Sequence, residues 1–267
     1  MPVFTWNVEV MKSNRVKELL QRGEVTLGPW ITIGHPDVVE MLVHMGFDWM
    51  AFDMEHAPLD IRTVQNLMQA ANGTEVTPFV RVAWNDIVLI KQVLDLGTQG
   101  LVIPWVNTKE DAIRAVRAAR YPPQGLRGAG PRRAALYGLD RDYMAQAAAQ
   151  IMIITQIETT EAVENAENIL EVEGVDGFFI GPTDLSTSMS IPGQRDHPEL
   201  QRAIRKVLEI GKKLGKPGGI MCHSINEIKR AVDDGFKFVA ARSDFDYLTW
   251  GADMALGASG RPRKVNE

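Results

Sequence analysis

Residues 49–60 read Trp49-Met50-Ala51-Phe52-Asp53-Met54-Glu55-His56-Ala57-Pro58-Leu59-Asp60. The first four form an apolar run, the pattern of a strand buried on both faces. Asp53, Glu55 and His56 follow without a polar linker. Pro58 stops the strand, and Asp60 can cap a following helix. Ionisable groups at the end of a buried strand are costly unless they are paired or used, so the stretch favours a functional site over a merely polar strand end.

The same unit recurs along the chain. Short apolar runs alternate with segments of helical periodicity, and we predict strands at 25–33, 49–52, 77–82, 100–103, 151–157, 175–180, 218–221 and 238–241. Near-continuous apolar strands predict a parallel sheet covered by helices. The 267 residues are close to the roughly 250 of a (β/α)8 barrel, and no Gly-x-Gly-x-x-Gly follows the first strand. We therefore expect one (β/α)8 TIM barrel domain over residues 1–267, with a helix at 162–170 and a long irregular loop at 122–139.

The amino-acid composition of the chain excludes some classes of function. Apolar residues make up 45% of the chain and charged residues 24%, which is ordinary for a globular protein. The net charge of −5 does not favour nucleic acid or an anionic membrane as a partner. The single cysteine, Cys222, cannot form an intrachain disulfide, and the sequence shows no secretory signal and no apolar run long enough to span a membrane. We expect a cytoplasmic protein.

Polar side chains cluster where the predicted strands end, which is where barrels of this kind place their active sites. Glu158 and Asp184 follow neighbouring strands. Two converging carboxylates repel each other unless a proton or a cation lies between them, and oxygen ligands of this kind suit Mg²⁺ or Mn²⁺. The alternative is that one of them, Asp184 above all, only caps a helix.

Arg81 lies near the end of a buried strand, where a guanidinium needs an anion. Asp53 or Glu55 on the adjacent strand could supply that charge, as could an anionic substrate, and both can hold at once. No lysine falls at the carboxyl end of a predicted strand. Carbonyl chemistry in this barrel would therefore use a metal rather than a lysine imine.

These motifs, taken in order, resemble the HpcH/HpaI family of class II pyruvate aldolases over nearly the whole chain. The resemblance is carried by Gly46-Phe47-Asp48-Trp49, Asp53-Met54-Glu55-His56-Ala57-Pro58, Val80-Arg81-Val82, Trp84-Asn85-Asp86, Tyr121-Pro122-Pro123, Gln156-Ile157-Glu158-Thr159 and Gly181-Pro182-Thr183-Asp184-Leu185-Ser186. It implies a (β/α)8 barrel in a homohexamer, with the last helix exchanged between subunits. It also implies a divalent metal ion, Mg, Mn or Co, on Glu158 and Asp184.

The resemblance further implies roles for residues around that metal. The catalytic set is Arg81 at the keto oxygen, His56 as the proton carrier through a water, Asp53 as its support, and Asp95 as a further aspartate near the histidine. The substrate-binding set is Gln156 beside the metal, the backbone at Thr183 and Asp184 for the pyruvate carboxylate, and Trp30 on the first strand.

The predicted function is a metal-dependent carbon–carbon lyase. It cleaves a 4-hydroxy-2-oxo acid to pyruvate, or a related 2-oxo acid, and an aldehyde, and it runs the reverse addition. The alternatives are a CoA-ester lyase or an oxaloacetate decarboxylase on the same scaffold, and a barrel that keeps the fold without the chemistry. The chain departs from the family pattern at Arg242, where glycine is common, and Arg132 and Arg133 in the long loop could bind an acidic acceptor.

Overall fold

The computed structural model describes residues 13–261 and shows a closed barrel of parallel strands paired in chain order, the last with the first. Its strands are β1 (Thr26–Ile31), β2 (Trp49–Asp53), β3 (Thr77–Arg81), β4 (Gly100–Ile103), β5 (Met152–Ile157), β6 (Gly177–Ile180), β7 (Gly218–Cys222) and β8 (Phe238–Ser243). The predicted (β/α)8 barrel is confirmed, while the ends of the expected domain, 1–267, lie outside the described residues.

Helices follow or precede each strand on the outside of the barrel. They are α1 (Arg15–Gln21), α2 (Pro36–Leu42), α3 (Ile61–Ala70), α4 (Ile87–Asp95), α5 (Lys109–Ala119), α6 (Tyr143–Gln150), α7 (Thr160–Glu164), α8 (Ala166–Leu170), α9 (Pro182–Ser188), α10 (Pro198–Leu214), α11 (Ile225–Asp234) and α12 (Asp244–Ala258). The predicted cap is present, since Asp60 Oδ1 accepts the backbone N–H of Thr63 at 2.7 Å at the start of α3. Within residues 13–261, no helix is long and apolar enough to cross a membrane.

The inside of the barrel is filled by side chains rather than open. Trp49 stacks on Phe238 with ring centroids 4.0 Å apart, and Trp30 packs on Phe179 at 4.9 Å. A Cβ at Gly28 would lie 2.2 Å from the Trp49 ring, so only glycine lets β1 approach this ring so closely. This aromatic layer closes the barrel beneath the carboxyl ends of the strands, and polar chemistry is therefore confined to the rim above it.

Several predicted elements differ from the structure by one or two residues at their ends, and two differences have a visible physical reason. The helix expected over 162–170 is divided into α7 and α8 at Asn165, which has φ −91° and ψ 6°. Its side-chain amide donates to the carbonyl of Asn107 at 2.9 Å, which fixes this junction against the segment that follows β4. The strand expected to end at 241 continues to Ser243, because that residue pairs with Trp30 on β1.

The long loop after α5 contains no helix or strand apart from a short 3-10 turn at Leu136–Gly138. It is anchored by Arg127, whose guanidinium is buried between the rings of Tyr121 and Tyr143 at 4.6 and 5.6 Å. The same guanidinium donates to Asp95 Oδ1 at 2.8 Å. Since α5 runs back from the carboxyl end of β4, the loop lies at the amino ends of the strands.

Candidate active site

The register of β2 and β3 pairs Asp53 with Arg81 at the carboxyl rim of the barrel. Arg81 Nε donates to Asp53 Oδ1 at 2.9 Å, and Nη2 donates to Oδ2 at 2.7 Å. Both side chains are buried, and a bidentate pair is the geometry that a planar guanidinium satisfies best. The predicted pairing of Arg81 with a carboxylate of the adjacent strand is therefore confirmed.

The turn after β2 is built on the same carboxylate. Asp53 Oδ1 also accepts the backbone N–H groups of Glu55 at 3.0 Å and His56 at 3.3 Å. Glu55 Oε2 lies 3.1 Å from Arg81 Nη1 and 3.9 Å from His56 Nε2. The guanidinium thus faces two carboxylates, and the imidazole, which is largely exposed, stands at the outer side of Glu55.

A second pair of acids comes from β5 and α9. Glu158 directly follows β5 and is buried, with the amide of Gln156 donating to its Oε2 and the backbone N–H of Trp105 donating to its Oε1 at 2.8 Å. The N-cap of α9 is Gly181, and Asp184 lies in the first turn instead. Thr159 is the N-cap of α7. Neither acid of the pair is a helix cap, so the alternative left open by the sequence is not what the structure shows.

The charges at the rim do not balance. Among the described residues, Arg81 pairs with Asp53 and Glu55, and the carboxylates of Glu158 and Asp184 lie near Glu55 with no cation paired to them. Burial raises the pKa of Glu55 to about 7, with the charge of Arg81 opposing the shift and the charges of Asp53 and Asp184 adding to it. Burial likewise raises the pKa of Glu158 to about 7, against the Trp105 N–H, and the charges of Glu55 and Asp184 add to the effect. The rim therefore takes up a positive charge with a gain in free energy.

The donor set fits a hard divalent cation. Carboxylate and amide oxygens are the ligands that Mg²⁺ and Mn²⁺ prefer, and Mg²⁺ sites commonly use only one or two carboxylates. Gln156 Oε1 and Glu55 Oε2 are buried acceptors without a hydrogen bond. In the described part of the chain, no three or more His, Cys, Asp or Glu side chains form a ready metal cluster. A cation bound by two carboxylates alone would keep positions for water or substrate.

The remaining predicted site residues do not all lie at the carboxyl rim of the barrel. Trp30 is buried beneath the rim, with Arg81 Cζ 5.3 Å from its ring centroid. Thr183 is exposed in the first turn of α9. Asp95 ends α4, at the amino side of the barrel, and its carboxylate pairs with Arg127. Within one chain the structure does not bring Asp95 to His56, and its catalytic role stays a prediction.

Among the described residues, neither Arg242 nor the loop residues Arg132 and Arg133 form an ion pair with any of the four carboxylates. Arg133 donates to the carbonyl of Leu96, and Arg132 lies 5.8 Å from the Tyr137 ring, both in the loop at the amino ends of the strands. Arg242 has φ +69° and stands 5.8 Å from the ring of Trp250 on α12. Within one chain, the two loop arginines are not positioned to contact an acceptor at the carboxyl rim.

The sequence predicts Glu55 only as a possible partner of Arg81, and the structure also places its carboxylate 3.9 Å from His56 Nε2. One residue of the site, Trp105, is not predicted at all. Trp105 carried no signal, because it contributes a backbone amide that any residue but proline possesses. Its left-handed backbone, with φ +54°, is visible only in the structure.

Comparison with known proteins identifies the family. The HpcH/HpaI aldolase/citrate lyase family model matches residues 26–249. A 4-hydroxy-2-oxo-heptane-1,7-dioate aldolase of Escherichia coli is 42% identical over 247 residues, covering 92% of this chain and 94% of that protein. The protein of the same name from Shigella flexneri is 40% identical over 255 residues, covering 95% and 96%.

A solved structure agrees with both relatives. The HpcH/HpaI aldolase/citrate lyase family protein of Burkholderia cenocepacia J2315 superposes with a TM-score of 0.90 at 35% identity, covering 93% of this chain and 100% of that one. The predictions of a TIM barrel and of a carbon–carbon lyase of aldolase type are confirmed. The chain belongs to the HpcH/HpaI aldolase/citrate lyase family.

Proposed function

We propose that the protein is a divalent-metal-dependent aldolase. It cleaves a 4-hydroxy-2-oxo acid to pyruvate, or a related 2-oxo acid, and an aldehyde, and it catalyses the reverse addition. The observation that carries the proposal is the rim itself, where Arg81 and four carboxylates converge at the ends of β2, β3, β5 and β6. The names of the two bacterial relatives support the substrate class.

In this proposal Glu158 and Asp184 would hold the cation, Mg²⁺, Mn²⁺ or Co²⁺, with Gln156 as the neighbour of Glu158. When bound, the metal supplies a Lewis acid for the keto group of the 2-oxo acid. Gln156 and the Trp105 N–H fix the orientation of the Glu158 carboxylate. The backbone amides of Thr183 and Asp184 are assigned to the substrate carboxylate.

The other residues move or stabilise charge. Arg81 stabilises the negative charge that develops on the substrate oxygen when the C3–C4 bond breaks. Asp53 keeps the guanidinium in place and, through its contacts with the following backbone, shapes the turn that presents His56. His56 removes the proton from the 4-hydroxyl group through a water in cleavage, and returns it in synthesis.

The proposed oligomer is a homohexamer of paired subunits with α12 exchanged between them. Apolar side chains of α12 are exposed in the single chain, among them Phe245, Leu248, Trp250 and Met254. Its only buried residue is Asp244, which accepts the backbone N–H groups of Thr32 and Ile33. A helix anchored through its first turn, with large apolar side chains exposed further along, needs a covering surface, and a second copy can supply one.

The proposal is tested by incubating the purified protein with pyruvate and a panel of aldehydes, with product identification by mass spectrometry. A strong chelator should abolish the reaction, and Mg²⁺, Mn²⁺ or Co²⁺ should restore it. Borohydride added with pyruvate should leave no adduct on any lysine, because it traps only an imine. A lysine adduct, together with activity that survives the chelator, would require a different mechanism.

A further inference from the structure

Trp105 has a backbone conformation that L-residues rarely adopt. It follows β4 by two residues and has φ +54°, within the left-handed region that glycine enters freely and other residues do not. Non-glycine residues persist there when surrounding contacts hold them, and they cluster at functional sites. The contacts that Trp105 makes therefore indicate the role of this strained backbone.

The left-handed turn directs the backbone amide of Trp105 into the acidic rim. Its N–H donates to Glu158 Oε1 at 2.8 Å, while the Gln156 amide donates to the other oxygen of the same carboxylate. Trp105 thus orients the acid that directly follows β5.

An aromatic contact holds this conformation in place. The ring of Trp105 packs on that of Trp84, which follows β3, with centroids 5.6 Å apart and an interplanar angle of 32°. The two residues are 43% and 52% exposed, so they do not belong to the buried core. Their packing ties together the segments that follow two neighbouring strands, at the point where the backbone is strained.

We propose that Trp105 is a positioning residue for Glu158. Its left-handed backbone, held by stacking on Trp84, aims the amide at one carboxylate oxygen and so sets the affinity of the rim for a divalent cation. Outer-shell donors of this kind orient the ligand and typically contribute about 10-fold to 100-fold in metal affinity. The inference rests on the proposed metal site. It adds Trp105 to that site through its backbone N–H, which a pattern of side chains in the sequence cannot reveal.

The first test compares Trp105→Gly with Trp105→Val by calorimetric titration with Mn²⁺. Glycine keeps the N–H and adopts φ +54° freely, so binding should stay within about threefold of wild type. Valine is β-branched and leaves the left-handed region, which turns the amide away from Glu158, so binding should weaken about 10-fold to 100-fold. If the indole mattered only as packing, glycine would be the worse variant, and that order would overturn the proposal.

The second test examines the role of Trp84 and does not depend on the folding of the valine variant. Trp84→Ala should weaken Mn²⁺ binding in the wild-type background and leave it unchanged beside Trp105→Gly, where no strain needs to be held. An equal loss in both backgrounds would refute the role of the stacking. Circular dichroism of the metal-free proteins is the control that tests whether each variant is folded.

Glu158→Gln separates this inference from the function on which it rests. If Glu158→Gln binds Mn²⁺ as wild type does, the proposed metal site is wrong, and Trp105 has nothing to position. If Glu158→Gln no longer binds Mn²⁺ while Trp105→Val binds it as wild type does, the proposed metal site is supported and the proposed role of Trp105 is refuted.

Discussion

Asp53→Asn perturbs the buried ion pair with the least change of shape. The carboxylate accepts Arg81 Nε, the Glu55 N–H and the His56 N–H at Oδ1, and Arg81 Nη2 at Oδ2. An asparagine can keep its carbonyl oxygen at the Oδ1 position. Its amide nitrogen then faces Nη2, so a donor opposes a donor, and the negative charge is lost.

The size of the effect follows from burial. Removing one partner of a buried pair costs about 3–5 kcal/mol in the free energy of unfolding, because the other charge stays uncompensated. Glu55 still lies 3.1 Å from Arg81 Nη1 and neutralises part of that charge, which places the expected loss near the lower end, about 3 kcal/mol. For a chain of this size that loss lowers Tm by roughly 6–12 °C.

Thermal unfolding followed by circular dichroism measures this shift. The protein concentration must be held fixed, because Tm depends on it if the protein assembles as proposed. Asp60→Asn is the matched control. It makes the same chemical change at an exposed N-cap, where asparagine and aspartate are equivalent, so Tm should move by less than about 2 °C.

A double variant tests whether the charge is the cause. Arg81→Met alone leaves Asp53 and Glu55 without their cation, whereas Asp53→Asn with Arg81→Met leaves no unpaired guanidinium. The double variant should therefore lose less stability than the two single variants together. Strict additivity, or an Asp53→Asn protein that melts within about 2 °C of wild type, would refute this account of the pair.

Three further outcomes are expected. Glu158→Gln or Asp184→Asn should abolish aldol cleavage while circular dichroism remains that of the folded barrel, and full activity with metal still bound would exclude the proposed site. His56→Ala should reduce the rate of aldol cleavage about 10²–10⁴-fold. It should leave oxaloacetate decarboxylation nearly unchanged, because that reaction needs no proton removed from a hydroxyl group. Equal losses in both reactions would show that His56 is not the base. Burial, with the charge of Glu227 adding, raises the pKa of Cys222 to about 12, so iodoacetamide at pH 8 should label the denatured protein and not the native one, since only the thiolate reacts. Rapid labelling of the folded protein would show that the thiol is accessible and ionised.

The sequence by itself determined the elements that depend on local signals. Eight apolar runs between amphipathic helices defined a closed parallel barrel, and Asp60 marked the start of α3, because periodicity and capping act within one or two turns of chain. The same reasoning placed Asp53, Arg81, Glu158 and Asp184 at one rim, since the carboxyl ends of parallel strands share an edge.

Only the tertiary structure decided which of these groups interact. The register of β2 on β3 made Arg81 the partner of both Asp53 and Glu55, and the path of α4 placed Asp95 at the opposite end of the barrel. A backbone amide with φ +54° at Trp105 supplies the donor to Glu158. Strand register, burial and backbone handedness arise from contacts between segments far apart in the chain, so no local pattern encodes them.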